Sequence, residues 1–551
     1  MNEMMKVKLG SRCERLVVMC PVLLHFLLLA ALNSDSAADP QGNNAGLKFI
    51  VAFPENIAHY YPIPPQNKIQ ITALHSNTQV TFKMFTYGTS TETLSAGQSK
   101  EFLPDVKLEL KKEEISSETL TITSTEKIIV HATSLKHNSV QTALVIPTDQ
   151  LGKEYLVPPV PRIPGTNDNV TLDVTERRPF RLVIISGDQP TKVTVEGAET
   201  REVSLRPQQV AQILLQEAAE LRAVRADQPV AVLLTHSCAI RLNCTCGLLL
   251  TRLSPATQEQ LRFFIPPFLA KNASGETFLL LSKEDSTTIE AFDPNSPLVE
   301  TTGSVVLYRP GFLLTLIPEK DFASCFVVSR IQGMQSFAVI MVHKDFTDGV
   351  RIRKDPLGSP DWQELRGTEF VSTAVELDLE TNVIWHTSSK MAVYFVGKHG
   401  TALYGNPAPI VSRTPDFRGC VLAPEVVKIG EVVDGWRESV KYCRDNDLQL
   451  VSFSRTVNVM QIHKELVQVK NDSMREAWIG MRRSSQTGEW YWLNNDPVTD
   501  TNWEEGEPGT EDDGQCAIMS LESGKDFGWR DEDCCKAALP VCYRRPVLFP
   551  L

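Results

Sequence analysis

Six of the chain's eight tryptophans fall between Trp436 and Trp529, and six of its twelve cysteines between Cys420 and Cys542. No other stretch constrains the fold as tightly. A segment of about 130 residues with few strands buries too little apolar area to be stable on that alone, so large rings and cross-links must supply the rest. The landmarks are Trp478-Ile-Gly-Met481, Trp490-Tyr-Trp492, Trp503-Glu-Glu-Gly-Glu-Pro508, Cys516, Trp529-Arg-Asp-Glu-Asp-Cys534 and Cys542. Residues 435–443 read as an amphipathic helix, with Trp436, Val440 and Cys443 on one face. A second helix is predicted over residues 456–468, with Val459, Ile462 and Leu466 on one face and Ser454 or Thr456 as its cap.

This order of motifs resembles the C-type lectin-like domain, an α+β fold, over residues 416–546. The resemblance implies that Cys443 pairs with Cys542 and Cys516 with Cys534, each closure being worth about 2–4 kcal/mol. Cys420 and Cys535 remain, and we expect them to pair within the module. The resemblance also raises calcium as a possible cofactor, gripping sugar hydroxyls through a shell of oxygens. A sugar-binding member carries Asn or Asp where Gly509 stands, Glu where Gly514 stands and Asn where Arg530 stands. Only Glu507 and Asp531 survive as metal ligands, and Arg530 is expected to bring positive charge near the ion. The predicted ligand-binding residues are Glu507, Pro508 and Trp529, with Pro508 expected in cis. Glu504, Glu505, Glu511, Asp512 and Asp513 crowd the same loop, leaving a displaced calcium and a merely solvated acidic loop as open alternatives.

The start of the chain reads as a secretory signal over residues 1–38. Lys6, Lys8, Arg12 and Arg15 precede the apolar run Leu16 to Leu32, and Ser36-Ala37-Ala38 follow, with cleavage expected after Ala38. A signal anchor is the rival, but Pro21 and His25 within the run favour cleavage. No second apolar run has that length, so the expectation is a secreted, extracellular protein with no membrane span. The cysteine content and four N-x-S/T sequons, at Asn169, Asn243, Asn272 and Asn471, agree with that compartment.

Residues 46–412 are rich in β-branched alternation. Lys68-Ile-Gln-Ile-Thr-Ala-Leu74 and Thr78-Gln-Val-Thr-Phe82 flank a compact turn, and Arg181-Leu-Val-Ile-Ile-Ser186 and Lys192-Val-Thr-Val-Glu196 repeat the arrangement. Anchors at Val80, Val130, Val193, Val232, Ile289, Val339 and Val393 recur at about 50 residues, the spacing of four-stranded propeller blades. A mainly β, propeller-like array is therefore expected, with tandem β-sandwiches as the alternative. Residues 208–220 contain Ala and Leu at helix-compatible spacing and stay ambiguous. Three pieces, Phe49-Ile-Val-Ala-Phe-Pro-Glu-Asn56, Ile69-Gln-Ile-Thr-Ala73 and Ala143-Leu-Val-Ile-Pro-Thr-Asp-Gln-Leu-Gly-Lys-Glu-Tyr155, resemble the N-terminal domain of IgGFc-binding proteins. That resemblance implies a secreted or mucus-associated binding module; immunoglobulin binding itself is not carried over, because no motif here confers it.

Cys238, Cys244 and Cys246 cluster, with Cys325 distant. Their C-x5-C-x-C spacing fits no zinc site, and disulfides are expected: one of the three to Cys325, and a small loop closed between the others. No H-E-x-x-H, G-x-S-x-G or phosphate-cradling glycine loop is present, so no enzyme is expected. The net charge of −12, with 16 Lys and Arg against 24 Asp and Glu from residue 416 onward, argues against nucleic acid as a partner. The expected function is extracellular recognition of a protein or glycan ligand in mucosal or innate defence. A calcium-dependent lectin and a structural mucus component are the alternatives.

Overall fold

In the computed structural model the described residues are 43–551, apart from 58–63, 85–87, 112–113, 138, 162–163, 168–169, 174–178, 198, 216–221, 241–245, 271–276, 284–285, 401, 455–458, 471–473, 511 and 523. The signal segment, Cys244, Glu511 and all four sequon asparagines lie outside them. Among the described residues no helix is long and apolar enough to cross a membrane.

The chain is mostly antiparallel sheet up to residue 412, in sheets of seven, eight, four, five and five strands with smaller pairs between them. Two long strands organise the first half. Leu120–Lys136 pairs through its first residues with Gly46–Val51 and Thr78–Met84, and through its last with Gln66–Ala73 and Ser139–Val145. Its middle, Thr125-Glu126-Lys127, is exposed, whereas Ile128, Ile129 and Val130 are fully buried. Ala223–Ile240 repeats the device, pairing early with Thr191–Glu196 and later with Phe180–Ser186 and Cys246–Arg252.

These strands overturn the propeller expectation. The polar stretches around residues 124–127 and 225–228 read as turns in sequence, yet the backbone continues through them while only the side chains reach solvent. A blade of four strands ends at each turn; a strand of this length instead joins two sets of partners into one larger sheet, open or partly curled. The ambiguous stretch 208–220 is β over Val210–Leu215, which packs between Phe180–Ser186 and Ile115–Ser116.

The C-terminal module is α+β. Its first helix, Trp436–Asp445, buries Trp436, Ser439 and Cys443; its second, Val459–Val469, buries Ile462 and Leu466. The central strand Glu476–Arg483 runs antiparallel to Cys516–Ser520 and meets Leu539–Arg544 in parallel at Ala477 and Trp478. Two indoles lock helix to strand: Trp436 donates its N–H to the Ile479 carbonyl at 2.9 Å, and Trp478 donates to the Asp434 carbonyl at 3.0 Å. Gly480 is required beside them, because a Cβ there would meet the Leu450 carbonyl oxygen at 2.7 Å.

Disulfides join Cys443 to Cys542, Cys516 to Cys534, Cys238 to Cys246 and Cys325 to Cys420. The last of these corrects two expectations. Cys420 does not pair with Cys535, which is exposed and free, and Cys325 does not pair into the 238–246 cluster. Cys325 begins a strand that pairs with Ile410–Ser412, which brings it beside the first residues of the module. The chain end returns to the same place: Val421–Ala423 pairs with Val547–Leu548, and Phe549 is buried with Leu74, Ile129, Trp385, Cys325 and Cys420.

Candidate ligand-binding site

The loop between Trp492 and Cys516 is held by aromatic packing rather than by regular pairing. Trp503 sits 4.9 Å from Trp490 and 5.9 Å from Trp529, ring centre to ring centre, and Trp529 lies 5.4 Å from Trp492. Backbone bonds close the same arch, from the Trp529 amide to the Asn502 carbonyl at 2.7 Å and from the Glu504 amide to the Trp529 carbonyl at 2.8 Å. Trp529 is only 2% exposed. It is therefore a wall of the core and offers no contact surface to a ligand, contrary to the role predicted for it.

The arch places the cis Glu507–Pro508 peptide over the strand Trp529–Glu532. Here Glu507 and Asp531 come together. The carboxyl of Glu507 is held above its ordinary value, first by loss of solvent and then by the facing Asp531 carboxyl; the Asp531 amide and Arg530 work in the opposite direction. Asp531 is nine-tenths buried, and its Oδ2 has no partner among the described residues. Two carboxylates so placed are satisfied by one shared proton or by a cation.

The remaining positions do not fit a sugar-gripping calcium. A Cβ on Gly514 would lie 2.4 Å from the Glu532 amide nitrogen, so the backbone itself occupies the space a ligating side chain needs. A Cβ on Gly509 would meet Asp513 Oδ2 at 2.6 Å, and that oxygen already accepts from the Thr510 amide and hydroxyl at 2.6 and 2.8 Å. These donors hold the Asp513 carboxyl below its ordinary value. Arg483 takes the Thr510 and Gly509 carbonyls at 2.7 and 3.3 Å while lying over the Trp490 ring. Arg530 pairs with Glu476, with Glu532 3.8 Å off, and its positive charge still acts on Glu507, as expected. Among the described residues no three acidic, histidine or cysteine side chains gather around one point. Of the residues crowding the loop, Glu504 lies 3.6 Å from Lys525, and Glu511 is outside the described residues. Arg483 was not legible as a site residue, since an arginine ending a strand has no local signature of what it will reach.

The family model of the lectin C-type domain matches residues 433–544, and that of IgGFc-binding protein matches residues 45–223 and 141–309. The chain carries a match to each of these two domain families, one after the other. Human IgGFc-binding protein is 24% identical over 396 residues, which is 64% of this chain and 7% of that protein. Human C-type lectin domain family 17, member A, is 33% identical over 110 residues, 20% of this chain and 27% of that protein. Human lithostathine, a solved structure, covers 22% of this chain and 92% of its own at 21% identity and a TM-score of 0.20. The chain thus spans a small part of the length of the curated relatives it matches.

Proposed function

We propose that this is a secreted recognition protein whose lectin-like module presents the 493–515 loop to a protein or glycan ligand, without catalysis and without the calcium clasp. The contact of Gly514 with the Glu532 backbone carries this reading, because it leaves no room for an oxygen-bearing side chain at residue 514 beside Glu507 and Asp531. The relatives support binding as the general activity, since one is named for the immunoglobulin Fc and the other as a lectin.

The calcium-dependent lectin stays as a second reading on one observation: the uncompensated Asp531 oxygen facing Glu507. Calorimetric titration of the full chain with calcium, followed by glycan and serum-protein arrays with and without EDTA, separates the two. The expected result is selective binding that EDTA leaves intact. Saturable calcium uptake with EDTA-sensitive, monosaccharide-inhibited binding would replace our reading with the second.

A further inference from the structure

A second site, independent of the lectin-like module, lies where four strands of the β array converge. Thr251 and Arg252 end the strand Cys246–Arg252, Thr142 and Ala143 lie on Ser139–Val145, Thr315 ends Phe312–Thr315, and Asn406 lies on Ala402–Pro407. Between them is a cavity of about 100 Å³. A second of about 50 Å³ adjoins it, lined by apolar residues such as Val51, Phe53, Ile185 and Leu233. Both are lined by Ala143, Leu144, Leu250 and Arg252, so Arg252 stands at their junction. Their joint volume is close to that of the apolar protein cavities, ~150 Å³, that admit a single benzene ring.

The charges lining the two cavities do not balance. They comprise Arg252, Arg413 and Asp321, and Asp321 lies 3.5 Å from Arg413. Among the described residues the Arg252 side chain makes no hydrogen bond or ion pair; burial pushes its pKa down, while Tyr155 and the Asp321 carboxylate push it back up. The polar neighbours are already engaged with one another. Thr142 donates to Asn406 at 2.6 Å, Asn406 donates to the Pro407 carbonyl at 2.8 Å, and the Thr251 and Thr315 hydroxyls lie 2.8 Å apart. Asp321 is the one carboxylate among these lining residues for two guanidiniums, and an anion delivered with its own apolar body would supply a second while filling the apolar arm.

We propose that the two cavities form one binding site for a small organic carboxylate, with its head on the Arg252 guanidinium and its aryl or short alkyl body in the apolar arm. The inference goes beyond the proposed recognition function and does not depend on it. Calorimetry on the full chain with benzoate and hexanoate should show saturable binding by at least one of them. The uncharged amides of the same shape should bind at least about tenfold more weakly, since a charge-assisted pair is replaced by a neutral one. Acetate, a head without a body, should also be weaker. Arg252→Gln should lower the affinity for the acid by a similar factor, and Ala143→Leu should block the arm. Should Arg252→Gln fail to fold, the acid-against-amide comparison on the unaltered chain still decides. Absence of saturation through the millimolar range would overturn the proposal, as would equal binding of acid and amide, or of acetate and hexanoate.

Discussion

Gly514 and Glu532 are in such close contact that a side chain on the first would have to displace the main chain of the second. A Cβ at residue 514 would fall 2.4 Å from the Glu532 nitrogen. Installing the missing oxygen donor by Gly514→Glu is therefore expected to give no gain in calcium affinity. It should lower stability by about 1–3 kcal/mol, the range for overpacking. Calcium calorimetry and urea unfolding of the variant provide the check, and tight calcium uptake at unchanged stability would contradict it.

The Glu507 carboxyl gives a pH signature. Its folded pKa is raised above 4.5, so the folded state holds this proton more firmly than the unfolded chain does. Its contribution to stability is complete below 4.5 and is lost as pH rises through the folded value. Glu507→Gln, which keeps a donor toward Asp531, should thus raise the melting temperature relative to the parent near pH 7 but not near pH 4. Equal differences at both ends would show that the two carboxyls do not face each other.

Cys325 and Cys420 are 95 residues apart in sequence and bonded in the fold. Replacing both with serine should cost about 2–4 kcal/mol in urea unfolding, as for a long closed loop. Non-reducing peptide mapping should recover the 325–420 link, with Cys535 alkylated in the native protein. A Cys420–Cys535 peptide would sink the assignment.

The indole of Trp436 ties the first helix to the carbonyl of the buried residue Ile479. Trp436→Phe keeps the ring but leaves that carbonyl without this donor. A loss of about 1–3 kcal/mol is expected, read by chemical denaturation. A change near zero would mean that water replaces the indole there.

The module was legible in sequence because its determinants are large and local. Trp478 and Gly480 carry the family resemblance, and the 443–542 pair followed from that resemblance rather than from its spacing. The pairing of Cys420 was not, since it is set by a strand contact between Cys325 and Ser412 that no local pattern encodes. Each anchor of the repeat of about 50 residues lies in a strand, but the spacing did not correspond to repeated units and could not say which sheet each strand joins. In Leu120–Lys136 the exposed Thr125-Glu126-Lys127 looks the same whether the chain turns there or runs straight on. Arg252 and Arg483 were invisible for a related reason: what a long cation reaches is decided by packing from elsewhere in the chain.

Phe549, five residues from the Leu539–Arg544 strand, docks beside Cys420, so the lectin-like module leaves and re-enters the β array at one spot. A protease that severs the connection near residues 413–416 would leave both fragments clamped by the 325–420 bridge, migrating as one band until a thiol is added. The module cannot swing on a tether, and whatever its loop grasps is held at a fixed bearing to the rest of the molecule.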